Sequence, residues 1–270
     1  MQSSDLGEFA ESDIVNPTGD LQTRQDVIFH DEILKAVAKT NACRYLISEE
    51  ADAPTEIGSG SLTLSLDPFD GSKAFRLGIP AGTIFGVFRG TSSAPASGST
   101  LIASGFLLYG QKPELFFAYA GRVWNITTRA TDRLASLGSS ERFVCANFSN
   151  YAGWSPSWRK FLDQTVLFGD PTPFNSRWFG SLVCHCKAVI TSGGMFLYPA
   201  DGRSSYSRGH IRLVYEAMPL AYLIECLGGE CTDGQTRILD LAIQDFHERT
   251  PIAFGEKDLV IQLRQTLSGL

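Results

Sequence analysis

Asp67 and Asp70 stand three residues apart in the run L-T-L-S-L-D-P-F-D-G-S, residues 62–72. The alternation Leu62, Leu64, Leu66 suits a strand, which places both carboxylates at its end in a tight Pro- and Gly-containing turn. Carboxylates that converge on one point repel unless a cation lies between them, and magnesium is the obvious candidate. Gly71 and Ser72 follow directly, with a backbone that can approach an anion closely and N–H groups able to bind phosphate oxygens. Such a turn could hold metal and phosphate together. D-P-x-D-G is also an ordinary surface-turn pattern, because Asp, Pro and Gly fit turns on steric grounds alone.

Two further acidic groups are candidates for the same chemistry. Asp26, Asp31 and Glu32 open an expected amphipathic helix over Asp26–Asn41, whose apolar face carries Val27, Ile28, Ile33, Leu34, Val37 and Ala38. Negative charge there favours the helix dipole and could equally serve catalysis. Glu49-Glu50 follow a short strand expected over Arg44–Ser48; such a pair is usually a solvated loop, but beside a metal turn it gains a use. Cys184-His185-Cys186 could suggest zinc, yet positions two apart on a helix face different ways, so structural thiols are the better reading.

At 270 residues with a formal net charge of −6, the chain is long enough for a large core. It lacks the basic runs that bind nucleic acid. Six cysteines without short regular spacings fit reduced thiols of an intracellular protein. No apolar run approaches the ~20 residues that cross a bilayer, and the acidic, polar N-terminus lacks signal- and transit-peptide features. A cytoplasmic protein is expected, with no membrane partner.

Residues 1–25 read as a polar, mobile arm with a turn at Asn16-Pro17-Thr18-Gly19-Asp20. Strands are expected over Gly82–Arg89, Leu101–Tyr109, Glu114–Tyr119 and Gly121–Thr127, forming an antiparallel sheet, with a Ser/Gly/Ala loop over Thr91–Thr100. Beyond Ser140 the order alternates: strand Phe143–Ala146, helices Ser157–Thr165 and Arg177–Ile190, strand Ile211–Tyr215, and helix Met218–Cys226 closed by Gly228-Gly229. The fold class is therefore α/β, with a second α/β layer set across a cleft from the first.

Seven segments, taken together, are specific: L-I-S-E-E, D-P-F-D-G-S, G-T-I-F-G-V, R-W-F-G-S-L-V, G-G-M-F-L-Y-P-A-D, I-R-L-V-Y-E-A-M-P-L-A-Y-L-I-E and H-E-R-T-P-I-A-F-G. In order and spacing, from about Asp20 to the C-terminus, the chain resembles the class I fructose-1,6-bisphosphatases of the lithium-sensitive, metal-dependent sugar-phosphatase superfamily. The resemblance implies a layered α-β-α-β-α fold, with a metal-binding half over residues 1–140 and a sugar- and distal-phosphate-binding half over 141–270. It implies metal ligation by Glu49, Asp67, the Phe69 carbonyl, Asp70 and Glu216, with Asp20 reaching the metals from a loop. Oxygen donors of this kind suit magnesium or manganese. Asp26 and Glu50 match carboxylates that orient and deprotonate the attacking water. Gly71 and Ser72 would hold the cleaved phosphate, with Arg212 close by. Asn147, Tyr151, Tyr198 and His210 match positions around the second phosphate, and Arg177 matches a residue reaching in from a neighbouring subunit, so a homo-oligomer, dimer or tetramer, is expected. Without the resemblance, Tyr151 and Tyr198 read as ordinary part-buried aromatics.

The departures are equally informative. Lys73 replaces the second serine of D-P-L-D-G-S-S, Trp178 replaces a phosphate-binding tyrosine, His210 replaces a lysine, and the loop at Asn147 is one residue longer. The helical region carrying AMP inhibition in the family is not matched, so AMP control is expected to be absent. The expected activity is magnesium-dependent hydrolysis of the 1-phosphate of fructose 1,6-bisphosphate. Sedoheptulose 1,7-bisphosphate is the alternative substrate, and a non-catalytic binding or regulatory relative is the alternative class.

Overall fold

The computed structural model of the chain describes residues 11–15, 21–169 and 174–269. The first half carries β1 (Glu11–Val15), β2 (Leu21–Thr23), α1 (Arg24–Thr40), β3 (Cys43–Ser48), β4 (Thr55–Glu56), β5 (Leu62–Asp70), α2 (Ser72–Phe75), β6 (Ala81–Arg89), β7 (Leu101–Tyr109), β8 (Glu114–Tyr119), β9 (Arg122–Thr127) and β10 (Thr131–Leu134). The second carries β11 (Phe143–Ala146), α3 (Pro156–Phe161), β12 (Asn175–Arg177), α4 (Leu182–Ser192), β13 (Gly194–Tyr198), β14 (Ile211–Arg212), α5 (Met218–Cys226), β15 (Glu230–Thr232), β16 (Arg249–Thr250), β17 (Ile252–Gly255) and α6 (Lys257–Ser268).

An eight-stranded sheet has the order β10-β9-β8-β7-β6-β5-β3-β4, antiparallel except for the parallel pair β3–β5. A five-stranded sheet has the order β12-β11-β13-β17-β15, in which β12, β11 and β13 run parallel. Helix α1 covers one face of the large sheet, where Ile33, Leu34 and Val37 meet Leu46, Leu64 and Leu66. Helices α4 and α5 fill the space between the sheets, packing on β6 and β7 on one side and on β13 or β17 on the other. Helices α3 and α6 close the outer face of the small sheet through Trp158, Phe161, Leu259 and Leu263. These are the five layers α-β-α-β-α that the resemblance implies. Strand β13 is apolar on both faces because each is covered: Phe196 joins the core between the sheets, whereas Met195 and Leu197 face α3 and α6.

The structure corrects several boundaries. The polar arm is not arm throughout: β1 and β2 pair antiparallel, and α1 begins at Arg24. The helix expected from Arg177 begins at Leu182, because Asn175–Arg177 pairs with β11 and Gly180 turns the chain at φ 73°. The strand expected over Ile211–Tyr215 stops at Arg212 and gives way to a π-helical turn over Leu213–Ala217 that runs into α5. Helix α3 is shorter than expected and continues as a π-helical turn over Leu162–Leu167.

Candidate active site

Strand β5 delivers the two aspartates by breaking its own register. Asp67 pairs with Ile84 and Asp70 with Gly82, so Pro68 and Phe69 together oppose Thr83 alone. Positions three apart in a regular strand face opposite sides; one extra residue turns both carboxylates to the same side. The bulge also accommodates a proline that an unbroken ladder would not. Thr83 Oγ1 donates to the Pro68 carbonyl at 2.7 Å and receives the Tyr109 hydroxyl at 2.6 Å. The Phe69 ring stacks on Phe29 of α1 at 4.9 Å, anchoring the bulge from the other side.

Three other elements bring carboxylates to this point. Because β3 runs parallel to β5, with Ser48 beside Leu66, both strands end at one edge, and the Glu49 N–H donates to the Leu66 carbonyl at 3.1 Å. Glu50 follows, its N–H on Ser48 Oγ. Asp26 closes a capping box with Thr23 at the start of α1, accepting the Thr23 N–H at 2.6 Å. Glu216 projects from the π-helical turn, where its Oε2 accepts the Arg212 N–H at 2.5 Å. Together with Phe69, Gly71, Ser72, Lys73 and Gly180 these carboxylates line one cavity of about 220 Å³.

Oxygens of Asp67, Asp70 and Glu216 lie within 4.8 Å of one another. Asp67 is 2% exposed. Burial, then Glu49, Asp70 and Glu216, pushes the Asp67 carboxyl well above the usual carboxylate range. Burial pushes Asp70 up to about 6, and burial with the charge of Asp70 pushes Glu216 up to about 8. Asp26 is also raised by burial. Such a cluster is costly as bare anions. A divalent cation resolves the cost, and an all-oxygen donor set fits a hard ion.

Gly71 turns the chain at φ 83°, and a Cβ there would lie 2.7 Å from Ser181 Cβ. Ser181 Oγ and the Val183 N–H, at 3.3 and 2.9 Å, both donate to Asp70 Oδ2, so the start of α4 is fastened to the bulge. Arg212 is 6% exposed, and its Nη1 donates to the His247 carbonyl at 2.7 Å.

The residues expected around a second phosphate lie at three places. Asn147 and Tyr198 hydrogen-bond through their side chains. The Tyr198 ring stacks on His210 at 4.0 Å, and His210 stacks on Tyr206 at 4.1 Å. His210 Nε2 bonds Asp201 Oδ2 at 2.8 Å, and Arg203 holds both oxygens of the same carboxylate. Tyr151 lies apart, donating its hydroxyl to Asp163 in a hollow lined by Pro156 and Arg159. Arg177 is exposed on β12, with its guanidinium over Phe143 and Nη1 on the Ser176 carbonyl.

Family models for the N-terminal and C-terminal domains of fructose-1-6-bisphosphatase match residues 6–130 and 138–268. A Bradyrhizobium fructose-1,6-bisphosphatase class 1 is 38% identical over 277 residues, covering 95% of this chain and 80% of its own. The Rhodobacter capsulatus fructose-1,6-bisphosphatase class 1 is 37% identical over 255 residues, covering 89% and 76%. The chain belongs to the class I fructose-1,6-bisphosphatase family. Among solved structures, Leishmania major fructose-1,6-bisphosphatase in holo form superposes with a TM-score of 0.89 at 25% identity, over 97% of this chain and 86% of that one. Like the family, the chain is a metal-dependent phosphatase of the hydrolase class. No helix among the described residues is long and apolar enough to cross a membrane.

Of the residues that the family resemblance singles out, Asp26, Glu49, Glu50, Asp67, Phe69, Asp70, Gly71, Ser72 and Glu216 line one cavity. Arg212 adjoins it through Glu216. Asp20 lies outside the described residues. Cys184, His185 and Cys186 are not gathered: Cys184 Sγ donates to the Pro80 carbonyl, and His185 Nε2 accepts the Phe179 N–H. Sequence reasoning missed the residues that hold this phosphatase site in place. Besides Thr83, Tyr109 and Ser181, His247 joins three segments, with Nε2 on the Ala51 carbonyl, Nδ1 at the Tyr215 hydroxyl and its own carbonyl on Arg212. The only sequence signal for it is its place in H-E-R-T-P.

Proposed function

We propose that this chain hydrolyses fructose 1,6-bisphosphate to fructose 6-phosphate and inorganic phosphate, with magnesium as its metal. The observation that carries the reading is the convergence of Asp67, Asp70 and Glu216 within 4.8 Å, beside the Gly71-Ser72 turn. Glu49, Asp67, the Phe69 carbonyl, Asp70 and Glu216 are the residues that would hold magnesium, with manganese as an alternative ion. Bound there, the ion would offset charge on the phosphate and its bridging oxygen and favour ionisation of a water.

The chain's own groups do the rest. The N–H groups after Gly71 face the phosphate as it gains negative charge in the transition state, fixed in advance by the contact with Ser181. Asp26 and Glu50 orient the attacking water and take its proton as its oxygen bonds to phosphorus; the bond between phosphorus and the C1 oxygen breaks, and that oxygen leaves with a proton taken from solvent water. Arg212 fixes Glu216 through its backbone N–H. The retained cluster also weighs against a non-catalytic relative, because six carboxylates around one cavity are destabilising without a charge to meet them. Arg177, exposed on an edge strand, is available to a neighbouring subunit of a homo-oligomer.

Phosphate release by the purified protein with magnesium tests this, with fructose 1,6-bisphosphate and sedoheptulose 1,7-bisphosphate offered separately and Glu50→Gln as the control. Release from the fructose compound that falls at least a hundredfold in the variant is expected. Equal rates in both proteins would remove the assigned site, and faster release from the sedoheptulose compound would change the sugar.

A further inference from the structure

Six carboxylates line the metal cavity, and Lys73 is the one lysine or arginine among the described residues that lines it with them. Other cations are close. Arg76 lies near Asp26, Arg212 has its Nη1 on the His247 carbonyl, and Arg249 stands over the Tyr206 ring at 5.3 Å, yet none of the three is part of the wall.

The backbone that carries Lys73 is fixed on both sides. The Phe75 N–H donates to the Gly71 carbonyl at 2.9 Å, which closes the turn opening α2. Ala74 is buried beside Gly180, and the Phe75 ring meets Phe69 edge-on at 5.4 Å. Neighbours on either side are thus tied to the bulge of β5 and the start of α4. The Lys73 side chain is exposed, and among the described residues its ammonium gives no hydrogen bond and forms no ion pair.

A lysine held to offset the carboxylates around it would pair with one of them. This one shares a cavity with six and pairs with none, so its three donors are kept for a group that enters the cavity. The group that needs them is an anion. A phosphate drawn to the metal cluster passes a wall of negative charge, and the metal meets it from the side of Asp67, Asp70 and Glu216. Lys73 follows Ser72 directly, and its flexible four-carbon stem can bring the ammonium to the oxygens that face the turn. A charge-assisted bond of this kind is among the strong ones, and it grows in value where negative charge develops in the transition state.

We infer that Lys73 is a further catalytic residue, whose ammonium donates to a non-bridging oxygen of the phosphate being transferred and of the inorganic phosphate released. This rests on the proposed phosphatase reading and deepens it: the positive charge around the phosphate comes from the metal and from the chain's own lysine together. The change from serine to lysine at this position is then a change in how the phosphate is held.

Calorimetric titration of inorganic phosphate, run with and without magnesium, tests this without turnover. Native protein is expected to bind phosphate in a magnesium-dependent way, and Lys73→Gln is expected to raise that dissociation constant at least about tenfold. A smaller rise overturns the inference, as does native protein that binds no phosphate when magnesium is present. Lys73→Arg restores the charge and is expected to lie nearer to native; equal loss in both variants leaves the position a structural role and overturns the inference. Magnesium titrated alone is expected to bind Lys73→Gln at least as tightly as native protein, because an ammonium has left a cavity of carboxylates. Weaker magnesium binding would show that the lysine shapes the cluster and would also overturn it. Lys39→Gln, in the last turn of α1, controls for net charge and is expected to leave both constants unchanged; a shift equal to that of Lys73→Gln would reduce the effect to net charge and count against a contact. In turnover of fructose 1,6-bisphosphate, Lys73→Gln is expected to lower kcat/KM at least about tenfold. If native protein releases phosphate from neither sugar bisphosphate, the proposed activity fails, while the phosphate titration still decides whether Lys73 holds phosphate at the metal cluster.

Discussion

The backbone N–H of Val183 donates to Asp70 Oδ2 at 2.9 Å, across 113 residues of sequence. One carboxylate thereby belongs to the metal cluster on β5 and to the first turn of α4, and it ties the large sheet to the helices beneath the small one. Substituting Asp70→Asn keeps an acceptor for Val183 and removes the charge. Phosphate release is expected to fall at least about a hundredfold, because a metal ligand loses its anionic oxygen. In protein stripped with EDTA, the thermal midpoint is expected to stay level or rise, since a buried like-charge contact is gone. The shift that magnesium produces in native protein should shrink in the variant. A stripped variant that unfolds well below the native protein would show that Asp70 is held chiefly for the fold.

The raised carboxyls give a pH dependence whose sign can be worked out. Glu216 is pushed up to about 8 and Asp70 to about 6, both above the ordinary carboxylate range of the unfolded chain. Between about pH 4.5 and about pH 8 the folded state therefore holds protons that the unfolded state has released, and stability falls as pH rises. Thermal unfolding of EDTA-stripped protein should show a midpoint that declines across this window and levels off above it. Magnesium added at the alkaline end should restore most of the loss, because a cation replaces the protons. A midpoint that climbs with pH would contradict the burial described for these groups.

Thr83 is expected to act as a positioning residue. Its hydroxyl bridges the Pro68 carbonyl and the Tyr109 hydroxyl, so Thr83→Val keeps the shape and leaves two buried polar groups unpaired. A cost of about 1–3 kcal/mol is expected in urea unfolding. Because the bulge aims Asp67 and Asp70, kcat should fall more than KM rises, and half-saturation by magnesium should move to higher concentration. Tyr109→Phe removes only the outer donor and should do less. An unchanged magnesium dependence in Thr83→Val would leave the hydroxyl a purely structural role.

How far the sequence could be read follows from how local each feature is. A strand ending in Asp67 and Asp70 is legible from alternation and turn chemistry, because both signals lie in the segment itself. The bulge that aims the two aspartates is not, since it is defined by Thr83 on another strand. Trp178, Phe179 and Leu182 continue the apolar pattern of α4, so the helix reads as five residues too long at its start; Gly180 at φ 73° is what halts it. The run Ile211–Tyr215 is buried throughout, Arg212 included, because it lies under the large sheet, and a run buried on every side has no periodicity that separates strand from helix. The departures at Trp178 and His210 are visible as letters, but their consequence depends on Asp201 and Tyr206, which reach His210 only in the fold.

Gly71 offers the sharpest test of the phosphate turn, because two separable effects meet there. Its φ of 83° lies in the left-handed region, where an L-residue costs about 1 kcal/mol. A Cβ would also stand 2.7 Å from Ser181 Cβ and 2.9 Å from its Oγ, closer than carbon and oxygen tolerate. Gly71→Ala is therefore expected to push α4 away from the bulge, weaken the Ser181 and Val183 bonds to Asp70, and lower phosphate release at least about a hundredfold. Adding Ser181→Gly removes the clashing atoms together with the Ser181 Oγ bond to Asp70, and leaves the backbone strain and the Val183 bond, so the double variant should recover part of the activity and part of the magnesium-induced thermal shift. Recovery requires that the two residues act through their contact. If the double variant is no better than Gly71→Ala while Ser181→Gly alone keeps native activity, the left-handed backbone alone governs the turn, and the packing of Ser181 against it contributes nothing to catalysis.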